Sequence, residues 1–236
     1  MNILKKIHKW TSCVVGLQLL LWLLSGLYFN VMDANKASGK SYYMPVTHSK
    51  EIRHSGLVEP KIIVQNFQPS VSLQLIYLLD KPFYLLKHTE TLYYHLQNHY
   101  SLVDAINGLP IVIDRHFASA LAQRSFTGKE LPQSVQLVEP PIADFPKEQN
   151  SLWQINFANK INTSVYIDAG SGRLVGHSDD EKRLADFFYM LHFMDYANLG
   201  NFNSIQLMIF AFITFWLIFT GAIWSYDLLR RGGYHS

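Results

Sequence analysis

The sequence predicts an α+β membrane protein, with two transmembrane helices flanking an ectodomain built from two repeats of a helix plus antiparallel strands. Three observations carry this. Residues 10–31 and 204–226 are apolar runs without Lys, Arg, Asp or Glu, each roughly 20 residues, enough to cross a hydrocarbon core of about 30 Å. Between them lie short segments rich in β-branched and aromatic residues, separated by turn residues, which is the pattern of strands. Within that region Leu102-Val103-Asp104-Ala105-Ile106-Asn107-Gly108 and Tyr166-Ile167-Asp168-Ala169-Gly170-Ser171-Gly172 both run from an apolar strand through Asp-Ala to Gly and on to a second apolar strand. An internal duplication accounts for that recurrence.

Charge orients the chain. Lys5, Lys6 and Lys9 precede the first run, and Arg230 and Arg231 follow the second. Short Lys/Arg-rich ends stay on the cytoplasmic side, so residues 1–9 and 227–236 are expected inside and the central domain outside. A net charge of +2 offers no field for a nucleic-acid partner. The first run exceeds the 7–15 residues usual for a signal-peptide core, and no A-x-A cleavage site follows it, so it reads as an uncleaved anchor. The single cysteine, Cys13, falls inside the first run. It excludes an intrachain disulfide and any cysteine-based metal site, and an external domain without disulfides suits a bacterial periplasm. The expected location is therefore the bacterial inner membrane, with the lipid bilayer as the first partner.

In chain order, residues 32–56 are polar with Gly, Ser and Pro and read as a linker that carries the unassigned His48 and His54. Residues 57–113 form the first repeat. It has a helix in LVEPKIIVQNF with Pro60 in its first turn, then strands in SVSLQLIYLL, PFYLLKHT and TLYYHLQNHYSLVDA. Residues 114–177 form the second, with a helix in DRHFASALAQRS, strands in SVQLVEP, LWQINFA and TSVYIDA, and a proline-rich connection, EPPIADFPKEQ. Asp104 and Asp168 occupy equivalent places and read as turn caps, since an Asp side chain bonds backbone donors further along a turn. Residues 178–203 predict an amphipathic helix at the outer interface, capped by Ser178 or Asp179. Its apolar stripe is Leu184, Phe187, Phe188 and Leu191, and it leads to the second span through residues 198–201.

Two histidines border the spans. His8 lies one turn before the first apolar run. Ser12, Val15, Leu19, Trp22 and Gly26 follow it on one helix face, and small residues there admit a second helix or a flat ligand. His192 lies at the edge of the later stripe, with Asp195 one turn on. His8 also reads as an interfacial polar residue beside Lys9 and Trp10, and the later stripe as a packing face. His88, His95, His99, His116 and His177 are scattered through the ectodomain and suggest no metal site. No nucleotide-binding glycine fingerprint, HExxH or C-x-x-C-H is present.

The repeated strand–D-A-x-x-G–strand unit resembles the PepSY domain. With His8-Lys9-Trp10 opening the first helix, Leu191-His192-Phe193 before the second, and Ser25-Gly26 echoed by Thr220-Gly221, nearly the whole chain resembles the PepSY-associated transmembrane family. That resemblance implies a link to iron uptake, and through relatives resembling ferric-siderophore reductases it implies haem b held in the membrane by histidines, here His8 and His192. Larger relatives carry four spans, and this chain carries two. The histidines lie near opposite ends of the spans, roughly 30 Å apart at the helical rise, so one iron cannot join them within one chain. A homodimer pairing His8 with His8 and His192 with His192, or a partner membrane subunit, would complete each site, and an electron donor is required because no flavin or nicotinamide domain is present. The alternative is a non-catalytic, membrane-anchored PepSY module that binds an envelope partner.

Overall fold

The structure, a computed structural model, describes residues 2–46, 56–197, 200 and 205–230, with side chains of the first helix from Lys5 onward. The chain divides into two compact units, residues 33–185 and residues 1–32 with 186–236. His48, His54 and Arg231 lie outside the described residues.

In the 33–185 unit, two four-stranded antiparallel sheets each follow a helix. Helix α3 (Pro60–Asn66) precedes β1 (Ser72–Leu78), β2 (Lys81–Lys87), β3 (Tyr100–Asp104) and β4 (Pro110–Ile111). Helix α4 (Arg115–Ser125) precedes β5 (Pro132–Val138), β6 (Leu152–Phe157), β7 (Ser164–Asp168) and β8 (Leu174–Ser178). Both sheets are simple meanders, ordered β1-β2-β3-β4 and β5-β6-β7-β8. Asp114 starts α4 by accepting the Phe117 N–H at 2.8 Å. The β1–β2 hairpin turns on Leu79 and Asp80, both at positive φ, the arrangement that matches strand twist in a two-residue loop.

Strand alternation places side chains on opposite faces, and this sorts the core. Phe83 and Leu102 face Ala118 and Ala122 of α4 together with Ile155, Phe157, Val165 and Ile167 of the second sheet. Tyr84, Leu86 and Val103 face Ile63 of α3. The first sheet is thus covered on both faces, which is why the centre of β2, Phe83 to Leu86, reads as an unbroken apolar run rather than an alternating one. Ala118 and Ala122 are fully buried, and at four-residue spacing they let α4 lie close on the second sheet. The far face of that sheet is closed by the proline-rich connection, whose Ile142 and Phe145 pack on Leu152 and Tyr166.

The two Asp-Ala-x-x-Gly turns are built alike. Asp104 Oδ1 accepts the N–H of Ile106 and of Asn107, and Asp168 Oδ1 accepts those of Gly170 and Ser171. Gly108 N donates to Asp104 O, and Gly172 N to Asp168 O, each at 2.9 Å. Gly108 and Gly172 sit at φ +73° and +72°, the left-handed region glycine enters without a Cβ clash. Both aspartates act as caps in these turns.

Two parts of the sequence reading change. Residues 33–46, read as a linker, pack onto the second sheet's core. A short helix α2 (Ala34–Ala37) is capped by Asp33, Tyr42 stacks on Phe126 at 5.7 Å, and Met44 N donates to Ser125 O. Residues 91–98, read as part of a strand, form an irregular loop. Asn98 and Asn150, both buried, donate to the carbonyls of Tyr94 and Leu96, and those side-chain bonds take the place of a strand ladder.

In the other unit, α1 (Asn2–Val31) is one continuous helix, so the basic start and the first apolar run are not separate elements. Helix α6 (Ile205–Arg230) extends the second run by a turn, and α1 and α6 are each long and apolar enough to cross a membrane. Helix α5 (Asp180–Phe193) begins in the 33–185 unit, where Asp179 Oδ1 accepts the Lys182 N–H, and its residues from Asp186 onward belong with α1 and α6.

The twin turns differ in their surroundings. A Cβ on Gly172 would stand 2.8 Å from Leu78 Cδ1 and 3.3 Å from Ile113 Cδ1, whereas one on Gly108 meets nothing closer than 3.6 Å. Gly108→Ala is expected to cost about 1–2 kcal/mol through its backbone alone, and Gly172→Ala roughly 1–3 kcal/mol more through overpacking. Urea unfolding of the full chain in mild detergent measures both, and equal losses would contradict the packing described.

Candidate functional site

Helices α1 and α6 lie against each other with the C-terminal part of α5 beside α1. Phe188 stacks on Tyr28 at 4.0 Å, Gln18 Nε2 donates to Leu191 O at 3.3 Å, and the Tyr196 hydroxyl donates to Gln18 Oε1 at 3.2 Å. At 1.5 Å per residue, Gln18 lies about 15 Å down α1 from Tyr28, so this end of α5 runs along α1 rather than across its tip. Val15, Met194 and Phe210 form the buried centre, with Trp22, Leu207 and Leu217 around them.

His8 projects from α1 onto α6. Its Nδ1 lies 3.1 Å from Thr220 Oγ1. A Cβ on Gly221 would stand only 3.2 Å from its Cε1, so the missing side chain is what admits the ring. Trp224 meets it edge-on at 5.5 Å, and Lys5 lies over the Trp224 ring. His192 projects from α5 onto α1 in the same manner. Its Nδ1 lies 2.9 Å from Ser25 Oγ, Gly26 lies under the ring with its Cβ position 4.0 Å from Cε1, and Trp22 and Phe29 flank it at 6.4 and 5.4 Å.

The pattern is therefore used twice: a histidine on one helix rests on a hydroxyl–glycine pair of another. The structure brings neither histidine to the other. Ser25 lies 17 residues beyond His8 on α1, about 25 Å along the axis. Among the described residues neither Nε2 has a hydrogen-bond partner, and no group of three or more His, Cys, Asp or Glu is placed to hold a metal ion.

The face predicted from His8 is partly shifted. Val15 is buried and Trp22 half-buried, but Gln18 and Ser25 are buried where Leu19 and Gly26 were expected, and Leu19 is exposed. On α5 the stripe also turns: Leu184 and Phe187 are exposed, while Ala185 is buried and Phe188 and His192 make the ring contacts. The Ser25-Gly26 and Thr220-Gly221 echo of the sequence marks both seats. A hydroxyl beside a glycine inside each apolar run was the available signal. Gln18 and Tyr196 went unnoticed.

A second arrangement lies in the 33–185 unit. His177, on the outer strand β8, is buried, and its Nε2 shares a 2.8 Å hydrogen bond with Ser125 Oγ. Its Nδ1 has no hydrogen-bond partner among the described residues. Tyr43 meets the ring edge-on at 5.3 Å. Gly39, at φ +70°, passes so close to the His177 carbonyl that no Cβ fits. A cavity of about 270 Å³ opens beside them, lined by Lys40, Lys182 and Phe145 among others. Burial pushes His177 down to about 4, so the ring is neutral across the physiological range. Nearby, Asp144 is clamped by Arg183 at 3.0 Å and accepts from the Tyr166 hydroxyl. Burial works to raise the Asp144 carboxyl, but the hydrogen bonds and charge of Arg183 outweigh it and hold it below its ordinary value. That cluster fastens the proline-rich connection to α5.

No family model, curated protein or solved structure matches the chain.

Two predictions follow from these placements. With Cys13→Ser as background, the pair Ser25→Cys and His192→Cys is expected to cross-link under mild oxidation within one chain, as is the pair His8→Cys and Thr220→Cys. His8→Cys with His192→Cys is expected to give no intrachain product, and the reverse pattern on denaturing gels would contradict the assignment. For His177, the unfolded chain takes up a proton near its ordinary value of about 6.5, whereas the folded chain refuses it until about pH 4. The contribution is thus complete above the unfolded value and is lost as pH falls, by up to about 3 kcal/mol. Urea unfolding of the full chain in detergent, read by hydrogen exchange in β6 and β7, should show that slope between pH 6.5 and 4, and His177→Gln should flatten it. An unchanged slope in the variant would exclude His177 as its source.

Proposed function

We propose that the chain is a PepSY-type inner-membrane protein that holds haem b through His8 and His192 and serves as a redox subunit linked to ferric-siderophore iron reduction or uptake. The observation that carries this is the duplicated seat: two imidazoles near opposite ends of an apolar helix pair, each anchored through Nδ1 with no partner at Nε2 among the described residues. An intramembrane ionisable side chain is a functional candidate by default.

The donor set fits haem b in kind, since imidazole is a common axial ligand and no covalent cysteine is needed. In number it supplies one imidazole per site, so a second copy of the chain, related by a two-fold axis, would provide the other. Haem b at such positions supplies one-electron transfer between ferrous and ferric iron. The chain's own residues hold and orient the imidazoles. Val15, Trp22, Met194 and Phe210 keep water from the space between the two sites. In this reading both termini are cytoplasmic, following Lys5, Lys6, Lys9, Arg230 and Arg231, and the repeats are PepSY-like. Electrons come from a partner or a quinol.

A second reading has its own observation. Each histidine already closes a helix–helix hydrogen bond, and polar side chains join membrane helices in this way without further chemistry. The protein would then be a membrane-anchored adaptor.

Expression with ample haem followed by purification in detergent separates the two. The redox reading predicts a Soret band that shifts on dithionite reduction, a dimer by light scattering, and loss of about half the haem in each of His8→Ala and His192→Ala, one site per histidine pair. A colourless protein that is otherwise folded would contradict it and leave the adaptor.

A further inference from the structure

The two seats share a detail that reaches beyond the choice of ligands. Ser25 Oγ lies 2.7 Å from Leu21 O and 3.2 Å from Trp22 O. Thr220 Oγ1 lies 2.9 Å from Trp216 O and 3.1 Å from Leu217 O. A hydroxyl carries one proton and two lone pairs. In both residues that proton is directed back to the residue's own helix, in the bond to the preceding turn that serine and threonine make within helices. Toward histidine, each oxygen then presents a lone pair. With the hydroxyl proton so directed, the ring atom facing the oxygen is the one to supply the hydrogen, and in both seats that atom is Nδ1.

We propose that Ser25 and Thr220 are positioning residues that fix His192 and His8 in the Nδ1–H tautomer, leaving the only free electron pair of each ring on Nε2. The bond made by one ring nitrogen determines what the other can do. A histidine that ligates a metal through one nitrogen characteristically donates its other N–H to a fixed acceptor, which sets the tautomer and orients the ring. Here the acceptor is a neutral hydroxyl rather than a carboxylate, which places no additional charge among the apolar helices. Gly221 completes the His8 seat by letting the ring approach Thr220 closely. The inference uses the same histidines as the redox reading, but the tautomer belongs to the empty chain as well.

Nitrogen-15 NMR of the full chain, labelled at histidine and reconstituted haem-free in lipid nanodiscs at about pH 8, where free histidine is neutral, tests this. His8→Asn and His192→Asn assign the two signals. The expected spectrum shows both rings protonated at Nδ1 and unprotonated at Nε2. Thr220→Val should shift only His8 toward the other tautomer, Ser25→Ala only His192, and Thr220→Ser should restore His8. Rings protonated at Nε2 in the unaltered chain, or a His8 signal indifferent to Thr220→Val, would overturn the proposal. Correct tautomers in a chain that takes up no haem would leave the positioning role standing and remove the redox reading. Haem uptake with the wrong tautomers would do the reverse.

Discussion

Where an imidazole packs between apolar helices, the hydrogen bond to one ring nitrogen decides how the ring sits and which nitrogen is left open. The arrangement of α1, α5 and α6 meets this constraint with two hydroxyls, Ser25 and Thr220, each next to a glycine. Each hydroxyl engages Nδ1 of its imidazole and leaves Nε2 open, Gly221 makes room for the His8 ring, Trp224 meets His8 edge-on, and Trp22 and Phe29 flank His192. The His8 seat depends on its glycine, since a Cβ on Gly221 would stand 3.2 Å from Cε1, whereas a Cβ on Gly26 would meet His192 Cε1 at an ordinary 4.0 Å.

The same economy governs the 33–185 unit, where turns rather than helices set the plan. In each sheet an aspartate at a strand end gathers two backbone N–H groups, and a left-handed glycine sends the chain back into the next strand. The Asp168 turn is deeply buried and the Asp104 turn more open. One turn chemistry thus serves both a packed corner and a surface one.

Much of this was legible in the sequence. The apolar runs, the helix in DRHFASALAQRS, the strands around Phe83 and Ile155, and the aspartate turns all rest on local patterns that tertiary context left intact. Residues 91–98 were misread because Leu92, Tyr93 and Tyr94 have strand-forming side chains, while the bonds that decide the loop come partly from Asn150, 52 residues beyond Asn98. The segment 33–46 was misread because its polar composition hid Tyr42 and Tyr43, which dock on Phe126 and His177. The seat of His192 was illegible for a similar reason. Periodicity shows that a histidine lies on a face, but its partner Ser25 is set by how far α5 runs along α1, and no local pattern encodes that depth.

In the proposed redox reading, His8 on α1 and His192 on α5 are ligands of two separate sites that a second copy completes. Low-temperature electron paramagnetic resonance of oxidised membranes containing the haem-loaded protein tests it most directly. The account predicts two low-spin ferric signals of bis-imidazole type, one abolished by His8→Ala and the other by His192→Ala. A single signal lost in both variants, or high-spin iron unaffected by either, would contradict it.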